Sequence, residues 1–397
     1  MEKVLSLLLV VALLLCGCAT GGQEATEPPA AKGVATEADI AQLEKLYEGR
    51  EAFHGEFHDH ANTGGIKSDG KTNLEGWKIN MVAKDMDFTT IVDHKQQFHM
   101  ELPEWDETMF IGGSEPGTRI LDLPEDSNSM HYNMVFATAE EFDKFLTEND
   151  QKFNFKYNVG GDGYFFYDAY GSYTGAQLME LAEAVREYGG FFNHNHPLGD
   201  SYLKSDDPLD YWYGDYTGFE VFQSYYNDMN DRRNQAAYDI WLQMLSLGKK
   251  VYATAGSDSH NLSKTISLST VYAEERHASS WLNRFRQGDF TAGPVGIRMC
   301  IGDTVTGGET DFAGKRLVVA VGDFHSQETY PYTYRVDIYN EMRKVHSQEF
   351  KIGEPVYVAL DAEDCMYYRA EVYSVTGKVC VAIGNPIWNS AYTPASE

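Results

Sequence analysis

Thiol ligands are scarce in this chain. Five cysteines occur among 397 residues, and two of them, Cys16 and Cys18, stand in the N-terminal apolar stretch. The other three, Cys300, Cys365 and Cys380, allow at most one disulfide, and no CxxC pair exists to build a zinc ribbon. Positive charge is also sparse. There are 32 Lys and Arg against 60 Asp and Glu, a net charge of −28, and the basic residues form no cluster. A nucleic-acid or anionic-membrane partner is therefore disfavoured on electrostatic grounds. A run long enough to span a bilayer is missing as well. The apolar residues 4–15 of "MEKVLSLLLVVALLLCGCAT" are too few to cross and have the proportions of a secretory signal. Neither a solenoid-type repeat nor a Gly-rich phosphate loop is visible.

The four residues Leu15-Cys16-Gly17-Cys18 resemble the bacterial lipobox. That resemblance implies a lipoprotein signal peptide at 1–18 and an exported protein, held to the cell envelope only through a lipid on Cys18. The alternative is an ordinary signal peptide cut near Ala19. Residues 19–48 open on "ATGGQEATEPPAAKGVATE", which is small, polar and Pro/Gly-containing, and they read as a flexible tether. What remains suits one large domain plus a second.

Helix signals and strand signals alternate over residues 49–295. The capping box Thr72-x-x-Glu75 predicts a helix to about Lys84, followed by a β-rich run at 88–92. The same device recurs at Thr138-x-x-Glu141 and Thr174-x-x-Gln177. After the last, Leu178, Leu181, Ala182 and Val185 keep helical spacing until Gly189-Gly190, where "FFNHNH" begins. Another helix carries Ile240, Trp241, Met244 and Leu245, ends at Gly248 and leads into "KKVYATAGSDSH". This order predicts βα units and a parallel sheet, an α/β fold. Over residues 296–397 the texture changes to short alternating runs such as "YTYRVDIYN" and "YYRAEVYSV", which predict an antiparallel sandwich. Residues 142–172, rich in Asn, Gly, Phe and Tyr, read as an insertion or long loop.

The polar residues fall in a pattern on this scaffold. Residues two apart on a strand share a face, so His58 and His60 point the same way and can grip one ion, with Asp59 turned to the other side. The blander reading of such a pair is two hydrogen-bonded histidines. Further candidates sit on other strands or at their ends. His94 follows "FTTIV", Glu115 follows "MFIGG", and His131 opens "HYNMVF". His194 and His196 end "GGFF", and Asp258 and His260 end "VYATAG". In a parallel barrel, strand ends converge on one face, where active sites form. Unrelated histidines would be scattered over the surface. Asp93 is read as support for a neighbouring imidazole or as a buried strand-end acid. Glu220, in "GFEVFQ", and the pair Arg232-Arg233 are candidates to reach the cleft, with a strand-end acid and a solvated helix face as the default readings.

The ordered set "FHDH…SDG", "IVDH", "GSE", "MHY", "NHNHP" and "GSDSH" resembles the PHP (polymerase and histidinol phosphatase) superfamily of metal-dependent hydrolases. The C-terminal "YRVDIYN" and "NPIW" resemble its CehA/McbA-like branch. The resemblance implies a distorted (β/α)7 TIM-like PHP barrel at 49–295, followed by a small antiparallel β-sandwich at 296–397. It further implies two or three divalent ions. His58, His60, Glu115 and Asp258 would hold one, and Glu115 would bridge to a second, held with His131 and His196. Asp69, His94 and His260 would hold a third. The gap before Asp69 is longer than the family's, so Asp69 fits the pattern least closely. Imidazole and carboxylate donors without thiolates suit zinc, manganese or iron(II). Glu115 and Asp258 are the expected catalytic carboxylates. His194 is an expected extra ligand, proton donor or supporting group.

These readings converge on an exported hydrolase that uses metal-activated water on a small-molecule ester. Phosphomonoesters or phosphodiesters are the first choice, because several cations suit a multiply charged phosphoryl group. The branch resemblance brings in a carboxylic or carbamate ester as the alternative. A non-catalytic envelope lipoprotein, with a structural metal cluster and a glycan- or partner-binding sandwich, is the reading from a different class.

Overall fold

The computed structural model describes residues 33–393 except 65–67, 95, 126–127, 161–162, 169–171, 199–202, 224–226, 263–266, 327–332, 355 and 377, and no side chains are described at 156–160 and 163–168. The expected signal peptide and the tether as far as residue 32 lie outside the described residues. Helices and strands are interspersed first: α1 (Glu37–Leu46), β1 (Glu51–Asp59), α2 (Leu74–Ala83), β2 (Phe88–Ile91), β3 (Phe110–Ser114), β4 (Gly117–Ile120), β5 (Ser129–Phe136), α3 (Ala139–Phe153), β6 (Phe155–Gly160), β7 (Gly163–Asp168), β8 (Ser172–Tyr173), α4 (Gly175–Glu187), β9 (Phe191–Asn195), β10 (Thr217–Phe222), α5 (Arg232–Ser246), β11 (Val251–Ala255), β12 (Leu268–Ala273), α6 (Ala278–Gln287) and β13 (Phe290–Ala292). Strands alone follow among the described residues: β14 (Val295–Ile301), β15 (Thr304–Val305), β16 (Glu309–Thr310), β17 (Arg316–Phe324), β18 (Thr333–Asn340), β19 (Arg343–Lys351), β20 (Val356–Asp361), β21 (Tyr367–Ser374) and β22 (Val379–Asn389).

The fold is mixed α/β. β1, β2 and β3 are parallel neighbours, and so are β9, β10 and β11. β5 lies between the two groups and runs antiparallel to β3 and to β9. Hydrogen bonds from Asp258 N to His58 O and from His60 N to Ser259 O, both 3.0 Å, join the segment after β11 to the end of β1. The βα alternation is incomplete: a single 3₁₀ turn, Phe98–Glu101, lies between β2 and β3, and β5 is reversed. That reversal decides where His131 lies. Near the start of β5 it pairs with Asn195 at the end of β9, so a strand-opening residue reaches the face on which the parallel strands end.

Apolar packing backs the strands that carry that face. Phe57 stacks on Phe285 of α6 (centroids 4.0 Å) and meets Phe191 edge-on (5.6 Å). A register shift between Glu56 and Asp59 on β1 marks a bulge there. α2 packs with Leu74, Trp77 and Met81 buried, and Trp77 Nε1 donates to His60 O at 3.1 Å.

The boxes at Thr138 and Thr174 form as expected. At α2, however, Asn73 is the cap, accepting from Gly76 N at 2.9 Å, in place of Thr72. The tether expected over 19–48 is corrected at its C-terminal end. Thr36 and Asp39 form a capping box that starts α1. Leu43 and Tyr47 are buried against Tyr272, Cys300 and Val318, and Glu44 meets Arg298 at 2.9 Å. Leu43 and Tyr47, four apart and joined by Leu46, dock this helix. The loop expected over 142–172 is corrected as well. α3 runs to Phe153 with Phe142, Phe145, Leu146 and Phe153 buried, and the hairpin β6–β7 follows it.

β14, β15, β17 and β20 form a separate four-stranded antiparallel sheet. Ile297, Met299 and Val319 from this sheet share one core with Val336, Ala370 and Val372 of β18 and β21. That second layer is continuous with the large sheet through the ladders β12–β13–β22. Among the described residues no helix is long and apolar enough to cross a membrane.

Candidate metal centre

Glu115 lies just past β3 and is fully buried. Its Oε1 is 3.3 Å from His58 Nε2, 3.1 Å from His131 Nδ1 and 3.0 Å from His196 Nε2. Its Oε2 is 3.2 Å from both His60 Nε2 and His94 Nδ1. Five imidazoles, two on strands (His58 and His131) and three just past strand ends (His60, His94 and His196), thus face a single carboxylate. Asp258 Oδ1 is 3.1 Å from His60 Nε2, 3.6 Å from His58 Nε2 and 3.4 Å from His260 Nδ1. Asp69 Oδ2 is 2.9 Å from His260 Nε2 and 3.4 Å from His94 Nε2, and its Oδ1 is 3.5 Å from His60 Nδ1.

Three groups of donor atoms are close enough to hold an ion each: His58, His60, Glu115 and Asp258; His60, Asp69, His94 and His260; and His94, Glu115 and His131. His60, His94 and Glu115 each belong to two groups, so ions held there would be near neighbours. Every residue expected as a ligand lies in or beside this cluster, Asp69 included, but His196 belongs to none of the three groups and meets them through Glu115. His94 differs from the expectation by facing two groups at once, Nε2 toward Asp69 and Nδ1 toward Glu115.

Burial alone would neutralise these groups, yet their neighbours outweigh it. Burial lowers His60, but Asp258 and Glu115 push it up to about 10. Burial likewise lowers His58, which Glu115 and Glu220 carry well above its ordinary value. His94 is raised by Glu115 and Asp69 against the same penalty. Burial raises Glu115, but His58, His131 and His94 hold it well below the usual range. Asp258 is held down by His60 and His58, and Asp69 by His260 and His94, again against burial. Without a cation, these neighbours favour the protonated form of His58, His60 and His94.

The donor set fits divalent metal. His58 Nε2, both ring nitrogens of His60, Glu115 Oε2, Asp258 Oδ1 and Asp69 Oδ1 are buried with no hydrogen-bond partner inside the protein. Such orphaned atoms are costly unless something binds them. Two residues of the cluster also have uncommon backbone geometry: His196 has φ +24° and Asp258 φ +51°, a region where non-glycine residues gather at functional sites.

His194 corrects the sequence reading. Asn195 points to Glu115, so His194, one residue earlier, projects from the other side of β9. There it packs with Tyr211, Tyr213 and Phe219, its Nδ1 is 3.4 Å from Tyr211 O, and burial lowers it to about 3. His194 belongs to none of the three groups, and this geometry gives it no catalytic role. His196 lies beyond the strand end, where the chain bends, and so escapes the alternation.

Asp59 turns away from the cluster, as alternation requires, and bonds Thr89 Oγ1. Asp93 accepts from Ala61 N (2.8 Å), Thr63 Oγ1 (2.8 Å) and Gln96 Nε2 (3.2 Å), pinning the loop that leads to Asp69. Two supporting groups complete the surroundings: Asn195 escaped the sequence reading, and Glu220 was a candidate to reach the cleft with no partner assigned. Asn195 Nδ2 donates to Glu115 Oε1 at 2.9 Å and to Asn133 Oδ1 at 2.7 Å. Glu220 Oε1 is 3.1 Å from His58 Nδ1, and Glu220 Oε2 accepts from His196 N at 2.5 Å. The signal for Glu220 was its place inside the apolar strand "GFEVFQ", where an acid needs a partner.

No family model matches the chain, and no curated protein matches it. Among solved structures, it is similar to a two-domain protein from Bacteroides vulgatus described as containing a predicted PHP-like metal-dependent phosphoesterase. The identity is 12%, over 92% of this chain and 100% of that one, with a TM-score of 0.41. It is also similar to an amidohydrolase from Chromobacterium violaceum, solved with bound sulfate and no metal, at 14% identity over 52% of this chain and 87% of that one, TM-score 0.32. Both likenesses are distant, and the chemistry below rests on the site's own geometry.

Proposed function

We propose that this chain is a metal-dependent hydrolase of the PHP type, in its CehA/McbA-like branch, acting on ester bonds with phosphoesters as the preferred class. One observation carries the reading: a buried Glu115 faced by five imidazoles, within ligand groups that share members. A purely structural site is closed with about four ligands and has no use for a second ion.

His58, His60, Glu115 and Asp258 would hold one ion. Glu115, His131 and His196 would hold a second, and Asp69, His94 and His260 a third, the metals being zinc, manganese or iron. Bound there, divalent cations lower the pKa of a coordinated water and neutralise charge on substrate oxygens. The protein's own part is to fix donors and handle protons. Asn195 holds the Glu115 carboxylate in place, and Trp77 fixes the main chain at His60. The side chain of Asp258, 35% exposed at the rim and kept ionised by His60 and His58, accepts the proton of the attacking water on a carboxylate oxygen. Residues 49–295 carry this chemistry as a distorted (β/α)7 barrel, and residues 296–397 form an accessory sandwich. Export on a lipid-anchored Cys18 completes the proposal.

The test is a parallel screen of the manganese- and zinc-loaded protein against phosphomonoester, phosphodiester and carboxyl-ester substrates. Metal-dependent turnover of a phosphoester is expected. Turnover of carboxyl esters alone would move the assignment to acyl chemistry.

A further inference from the structure

The side chain of Glu220 is 1% exposed, stands on β10 and belongs to none of the ligand groups. Both of its oxygens are nevertheless committed to residues of the centre. Oε1 faces His58 Nδ1 at 3.1 Å, and Oε2 accepts the His196 main-chain N–H at 2.5 Å. The two contacts reach different strands, β1 and the end of β9, and residues assigned to different ions. Space for the carboxylate comes from a third segment. A Cβ on Gly256 would lie 2.3 Å from Glu220 Oε1 and 2.5 Å from His58 Cβ. The glycine of "AGSDSH" therefore leaves a notch that the acid fills.

We infer that Glu220 is a positioning residue for the metal centre, which sets the His58 tautomer and holds the bend that turns His196 inward. The inference rests on the hydrolase reading above. A carboxylate only accepts hydrogen bonds. Facing Nδ1, it keeps a proton on that nitrogen and leaves the Nε2 lone pair of His58 directed at the side where Glu115 and Asp258 lie, as carboxylate partners of ligand histidines do. Its second oxygen anchors the N–H of a residue at φ +24°, a conformation that persists only where its surroundings hold it. Glutamine cannot replace it. An amide has one accepting oxygen, so binding the His196 N–H would turn its NH₂ toward His58 Nδ1. The imidazole proton would then move to Nε2, the atom needed for metal.

The experiment compares the wild-type chain with Glu220→Gln and Glu220→Asp. Bound zinc and manganese are counted after dialysis, affinities are titrated, and the His58 ring nitrogens of the zinc-loaded protein are read by ¹⁵N NMR. E220Q should keep its circular dichroism spectrum, lose affinity for at least one ion by about 10–100-fold, and shift the His58 signals toward the other tautomer. E220D keeps the charge but withdraws it by one methylene, and should show the same direction of loss. Unchanged ion number and affinity in both variants, with only a lower Tm, would overturn the positioning role and leave the hydrolase reading standing. A wild-type chain that holds no stoichiometric metal would overturn both.

Discussion

Glu115 is the residue on which the centre converges, because each of its oxygens meets imidazoles of more than one ligand group. Glu115→Gln removes a charge and keeps the shape. It should lower kcat/KM by more than about 100-fold with the fold intact, since even supporting residues of metal sites contribute 10–100-fold. Steady-state kinetics beside a circular dichroism spectrum checks this. His194 is the contrasting case. His194→Phe should leave kcat/KM unchanged and cost about 1 kcal/mol, the worth of an ordinary hydrogen bond, as read by urea unfolding. The clustering of these imidazoles and carboxylates was legible in the sequence because metal chemistry restricts residue types and strand ends restrict places. His194 misled because the "NHNH" repeat suggests one face, whereas the bend at His196 interrupts it. Glu220 and Asn195 were obscure for another reason. Their role comes from strands distant in sequence, and nothing near "GFEVFQ" names His58 as the partner.

At the level of elements, the strand–helix alternation was readable and the reversal of β5 was not. "HYNMVF" has the same apolar texture in either direction, and direction is set by the ladders to β3 and β9. The antiparallel strands from β14 onward were equally plain from their alternation. Helix α1 was lost among polar residues, yet it docks through Leu43 and Tyr47. Leu43→Ala should therefore cost about 2–5 kcal/mol, the range for truncating a buried leucine. Denaturant unfolding measures it, and a cost near zero would show that α1 does not dock. The long gap before Asp69 also resolves at this level. Asp93 and Ser68 fold it back, with Ser68 Oγ donating to Ala61 O at 2.6 Å, so the extra residues do not displace Asp69 from His260.

Across the molecule, acid should unfold the chelator-treated protein in two stages. Burial, helped by His325, lowers His54 from its ordinary 6.5 to about 3. The unfolded chain binds that proton first, so the stability from a neutral His54 is complete above pH 6.5 and is lost as pH falls toward 3. The slope is up to about 1.4 kcal/mol per pH unit for this one group. His194, also lowered to about 3, adds in the same sense. The depressed carboxylates Glu115 and Asp258 lose their contribution only at lower pH, below the ordinary carboxylate range. Between pH 6.5 and 4.5 the urea midpoint of the wild type should therefore drop relative to that of His54→Gln as pH falls; identical slopes would contradict this origin. The buried imidazoles and carboxylates face one another as a donor set for cations. Elemental analysis of the purified chain tests it most directly. Two or three equivalents of zinc, manganese or iron per chain are predicted, and a single ion or none would contradict the multinuclear centre.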